Sequence, residues 1–103
     1  MTAGRWSTFS LAEQLGNVGS EVGRAAIRER SGDTAQRDRA LERALELLDL
    51  TIADSRWQKR LKEICRAREV LCDTFWGKRE YHSTPEAMEK YFYHFALLAR
   101  CGL

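Results

Sequence analysis

Gly16, Gly19 and Gly23 fall inside a stretch, Ser10 to Arg30, whose apolar residues keep a helical period. An interior glycine costs a helix roughly 1 kcal/mol against alanine, so three cost about 3 kcal/mol. A helix carries that loss only where close packing offsets it, most simply against another helix whose backbone comes near. The ladder therefore predicts a tight helix–helix contact, within the fold or between chains. It also excludes a phosphate-binding glycine loop, because that device needs its glycines between a strand and a helix.

The rest of the chain supplies the partners. Ser10 and Glu13 form a capping-box signature, and Leu11, Leu15, Val18, Val22 and Ala25 follow at spacings of four and three. This predicts a first helix over 10–30, stopped at Ser31-Gly32-Asp33. A second is expected over 34–53, with Leu41, Ala44, Leu45, Leu48 and Ile52 as its stripe. The short link Ala53-Asp54-Ser55 makes the next helix an antiparallel neighbour. That third helix, over 55–76, carries Trp57, Leu61, Ile64, Leu71 and Phe75, with Arg68 where the period calls for an apolar side chain. Gly77 is expected to end it in a left-handed conformation. Ser83-Thr84-Pro85-Glu86 is a strong start signal for a fourth helix over 84–101. No strand pattern or internal repeat is present. The fold class is all-α, an up-and-down bundle of about four helices in one domain over 1–103, with 1–9 as a flexible N-terminus.

Composition narrows the setting. The chain has 103 residues, 44% of them hydrophobic and 31% charged, which is typical of a globular domain. No run of about 18 apolar residues is present to span a bilayer, and residues 1–10 lack the pattern of a secretory signal, so no membrane association is expected. Cys65, Cys72 and Cys101 are odd in number and form no paired framework, which suits a reducing cytoplasm.

The segment Leu15–Val22 begins a likeness that continues through Glu42–Thr51, Arg60–Glu63 and Arg68–Asp73. Glu80-Tyr81, Ser83-Thr84 and Tyr91-Phe92 complete it. On these residues the chain resembles a family of short, uncharacterised prokaryotic helical proteins of about this length. The resemblance spans roughly Leu11 to Arg100 and implies class and setting, but no activity. The chain departs from the family pattern at Ser31–Ala35, and at Thr74, where an aromatic is common.

No catalytic constellation stands out, and the chain reads as a non-enzyme. A carboxylate–histidine metal site in a bundle core needs Glu-x-x-His, but Arg79 precedes His82 and Tyr91 precedes His94 at that spacing. The cysteines never form Cys-x-x-Cys. No metal or cofactor is expected. The same two histidines lack the upstream arginine, four to seven residues before, that marks the toxin-like helical ribonucleases.

Two kinds of binding remain. Arg56, Lys59, Arg60 and Lys62 form a basic stretch, and arginine outnumbers lysine thirteen to four, which suits phosphate contacts. Against this stands a net charge of only +2 with acids interspersed, which favours a solvated helix face over a surface for nucleic acid or an acidic partner. Arg68 needs a carboxylate if it points inward, and Glu21 is the expected partner. Tyr91, Phe92 and Tyr93 are consecutive and cannot share one helix face, so at least one is exposed or covered by another chain. A helical interaction module, homodimeric or acting with a protein partner, is the first reading. An accessory nucleic-acid-binding protein is the alternative.

Overall fold

A computed structural model describes residues 2–101. It comprises α1 (Ala3–Trp6), α2 (Leu11–Ser31), α3 (Thr34–Ile52), a 3-10 turn (Ser55–Arg60), α4 (Leu61–Trp76) and α5 (Pro85–Arg100). The protein is an all-α bundle of four long helices. Its cross-helix contacts give the directions. Glu21 and Glu29 of α2 meet Arg43 and Arg37 of α3. Asp38 and Asp49 of α3 meet Trp76 and Arg68 of α4. Gly16, Gly19 and Gly23 of α2 face Ala96, Phe92 and Glu89 of α5. In each set the numbers rise on one helix as they fall on the other, so the helices of each pair run antiparallel.

The helix ends follow local chemistry. Ser10 and Glu13 close a reciprocal capping box on α2, and Gly32, at φ 78°, ends that helix in the left-handed region. Asp33 caps α3 by accepting from Gln36 N–H. Thr84, one residue after Ser83, caps α5, with Pro85 at its first position.

One core runs through all four helices. Leu15, Val18, Val22 and Ala25 of α2 pack with Leu41, Ala44 and Leu48 of α3, Ile64 and Leu71 of α4, and Met88 and Phe92 of α5. Helix α2 is the spine, packed along its length by both α3 and α5. Small residues allow this, because alanines and valines line its α3 side and glycines its α5 side. The α4–α5 contact is much sparser, and its consequences appear below.

Three expectations are corrected. Residues 1–9, expected to be flexible, contain a helical turn that buries Trp6 to 1% exposure within residues 2–9. Its indole N–H donates to the Thr51 hydroxyl at 3.0 Å, which in turn donates to the Leu47 carbonyl. Second, the helix expected over 55–76 is broken. Asp54 caps Arg56, Trp57 leaves helical geometry at φ −105°, ψ 22°, and the α-helix starts at Leu61. Third, Gly77 is extended, at φ −98° and ψ −162°. Its lack of a side chain serves close approach instead, since a Cβ there would lie 2.8 Å from Asp73 Cα. Asp73 then organises the connector by accepting from the Glu80 and Tyr81 backbone N–H groups.

Candidate interaction surface

The glycine ladder sits on the face of α2 turned to α5. A Cβ on Gly16 would lie 3.0 Å from Ala96 Cα, and one on Gly19 2.8 Å from Phe92 Cβ. At Gly23 the neighbour is the Glu89 carboxylate at 3.3 Å, the end of a flexible side chain. The contact is therefore tightest at the middle of α2 and looser toward its C-terminal end. On the outside the same glycines floor a groove of about 690 Å³, rimmed by Arg24, Glu86, Lys90, Tyr93 and Arg100.

The basic stretch does not form a free cationic patch. Arg56 is committed to Asp54, with Nη2 at 2.7 Å, and to the Phe9 carbonyl at 2.8 Å. Its guanidinium lies 4.4 Å from the centre of the Trp57 ring. Arg60 pairs with Glu63 at 3.0 Å. Lys59 and Lys62 are exposed. Two of the four expected phosphate-binding residues are thus neutralised by carboxylates within the chain.

The expected Glu21–Arg68 pair does not form. Glu21 faces the α2–α3 seam, where it accepts from Arg24 and, at 2.8 Å, from Arg43. Arg68 lies half-buried on the other side of the bundle and donates to Asp49 of α3 at 2.8 Å. The hydrogen bond to Asp49 holds its pKa above the ordinary arginine value. The physical reason is rotational: α4 meets α3 along its Arg68 edge, while Glu21 lies on the remote side of α2.

A residue absent from the expectations organises one end of the molecule. Gln14 is fully buried. Its amide nitrogen donates to the Trp6 carbonyl at 2.9 Å and to Asp54 Oδ2 at 3.2 Å, and its oxygen accepts from the Trp57 indole at 3.0 Å. Asp54 is thereby held at a pKa of about 2, first by the Arg56 guanidinium, against the opposing effect of burial. In sequence, Gln14 looks like any polar residue beside an apolar stripe. Only the two tryptophans flanking it across distant parts of the chain reveal its place. This cluster ties α1 and the 3-10 turn to the bundle and is satisfied internally.

An open apolar surface lies on α5. Phe92 is fully buried, whereas Tyr91 is 36%, Leu97 40% and Tyr93 50% exposed. Ala87 and His94 are exposed beside them, and Phe95 and Leu98 are half-buried. Tyr91 reaches across to α4, its hydroxyl donating to Glu63 at 3.3 Å. Burial, reinforced by that carboxylate, raises the pKa of the phenol. Because α4 and α5 diverge, an apolar cleft of about 420 Å³ opens between them, floored by Ala67, Val70 and Met88. Ala87 and Tyr91 line both the cleft and the outer face of α5, so the two form one continuous surface. No protein-family model, curated protein or solved structure matches this chain.

Proposed function

We propose that this chain is a non-catalytic helical interaction module, acting by self-association or with a partner protein. The observation that carries this reading is the one-sided packing of α5. Its buried edge lies against α2, yet Tyr93 and Leu97 remain well exposed on the far side, and Tyr91 stays partly exposed beside α4. Isolated exposed apolar residues are ordinary, but a contiguous aromatic and aliphatic face joined to an apolar cleft is the usual mark of an interface. Aromatic side chains supply large contact area at little entropic cost, which suits them to that task.

The nucleic-acid alternative has less support. Its strongest residues, Arg56 and Arg60, are paired with Asp54 and Glu63. A cytoplasmic setting is part of the proposal and is supported by three cysteines that carry free thiols. Among the described residues, no helix is long and apolar enough to cross a membrane.

Light scattering over a micromolar concentration series tests the reading. A mass near twice the 11.9 kDa chain, falling on dilution, is the expected result. A constant single-chain mass removes self-association. Salt-dependent retention of random DNA or RNA would favour the alternative instead.

A further inference from the structure

The cleft between α4 and α5 encloses about 420 Å³, within the range of about 300–1,000 Å³ that small-molecule sites occupy. Its floor is apolar, and the charged side chains that line it are Glu63 and Arg66. Glu63 is committed at both oxygens. One accepts from Arg60 at 3.0 Å, and the other from the Tyr91 hydroxyl at 3.3 Å. The Tyr91 bond crosses from α5 to α4 and closes the end of the cleft remote from the 78–84 connector. Arg66, by contrast, is exposed and forms no salt bridge among the described residues. Its guanidinium lies 5.0 Å from the centre of the Tyr81 ring. Glu69, one turn along α4, accepts instead from the Tyr81 hydroxyl at 3.0 Å. An aromatic ring orients a guanidinium but leaves its N–H groups free to donate. The connector that carries Tyr81 is pinned by Asp73. It also holds two non-glycine residues, Arg79 and His82, in the left-handed region at φ 55° and 56°. The ring is therefore fixed at the Arg66 end of the cleft, beside Ser83, which lines it too.

Going beyond the association reading and not resting on it, we infer that this cleft binds a small molecule with an apolar body and one carboxylate, of the kind a medium-chain fatty acid presents. The carboxylate lies against the Arg66 guanidinium at the connector end. The hydrocarbon runs over Ala67 and Met88 toward Tyr91. Charge selects this occupant. With Glu63 neutralised by Arg60, the charge left without a counter-ion on an apolar lining is a cation. An ammonium head would face it with like charge, and an uncharged head would leave it unpaired. The planar fork of an arginine matches a carboxylate at two hydrogen bonds, which fixes the orientation of the head. Burial of the hydrocarbon on the cleft floor supplies the remaining affinity.

The test titrates the whole chain with octanoate, octanol and octylammonium and follows the methyl resonance of Met88, on the cleft floor. Octanoate should shift that resonance saturably, with an affinity about tenfold or more above that of octylammonium. Arg66→Gln should weaken octanoate by about tenfold and leave octanol unchanged. Ala87→Trp, at an exposed position on the cleft wall, should fill the space and block all three probes. Circular dichroism verifies that both variants keep their helix content. Equal affinities for octanoate and octylammonium, or full octanoate binding by Arg66→Gln, overturn the carboxylate assignment. Binding that survives Ala87→Trp in a folded chain, or a Met88 methyl that none of the probes moves, overturns the site. Light scattering of the same samples reads association separately. A chain that stays monomeric and binds octanoate loses the self-association reading and keeps this one.

Discussion

Gly19 of α2 and Phe92 of α5 are pressed so closely together that a methyl group on the glycine would lie 2.8 Å from the Phe92 Cβ. Phe92 is itself fully buried and is held by core side chains from the other helices, so it has nowhere to retreat. Gly19→Ala should therefore destabilise the fold although alanine is the better helix former, and Gly19→Leu should do so by about 1–3 kcal/mol or more. Gly23→Ala is the contrasting case. Its nearest neighbour is the tip of Glu89, which can swing aside, so the helix-propensity gain of roughly 1 kcal/mol should dominate. Urea denaturation of both alanine variants reads the difference directly. Equal stabilisation by the two would show that the ladder is not under packing constraint.

Arg68 and Asp49 form a bridge between α4 and α3 that is only partly shielded, with 36% and 58% of their side chains exposed. A pair this accessible is screened by water and contributes little. Arg68→Ala and Asp49→Ala should each shift stability by less than about 1 kcal/mol, and the coupling in a double-mutant cycle should be of the same small size. Adding salt should shrink it further. A coupling of several kcal/mol would mean that the arginine is buried after all.

Periodicity makes the four long helices legible, because each carries an apolar stripe at helical spacing and α2, α3 and α5 each begin at a side-chain cap. The glycine ladder likewise announced a close neighbour, though not which helix would supply it. What the sequence hid depends on distant contacts. Trp6 lies in a short segment with no periodic pattern, and it is anchored by Thr51, a residue far along the chain. The 3-10 turn at Ser55–Arg60 has a helical composition, but the tertiary pull of Trp57 toward Gln14 breaks the helix there. Arg68 pairs with Asp49 and not with Glu21, because a stripe gives the facing direction of a helix but not the order of helices around the core. The basic stretch misled for a related reason: Arg56 is spent on Asp54 and Phe9, contacts that a linear count of charges does not register.

Gln14 should be the most sensitive polar position. Replacing it with leucine keeps the volume but leaves the Trp57 indole N–H without its acceptor, while the Trp6 carbonyl keeps only the Phe9 N–H. An unsatisfied buried polar group costs about 1–3 kcal/mol. Trp6→Ala should cost more, about 3–5 kcal/mol, because the loss is mainly one of packing. Tryptophan fluorescence would report both: a red shift without full unfolding is expected as the N-terminal turn detaches. If Gln14→Leu is neutral, the cluster does not fasten the N-terminus.

The same cluster makes a signed prediction for acid. The Asp54 carboxylate is 7% exposed and its pKa is depressed to about 2 by Arg56 and, to a lesser degree, by Gln14. In the unfolded chain the same group titrates at about 3.9. Between these values the unfolded state binds the proton and the folded state does not, so protons favour unfolding. The stabilisation from Asp54 is complete above the unfolded value and is lost as the pH falls through the folded one. It amounts to on the order of 2 kcal/mol. Asp54→Asn removes the titrating group, so the variant should be less stable than wild type near neutral pH. The gap between the two should close as the pH is lowered from about 5 to about 2. Urea midpoints for both proteins across that range decide the matter. Parallel acid profiles would mean that Asp54 has the same proton affinity folded and unfolded, and that the Arg56 contact is too loose to perturb it.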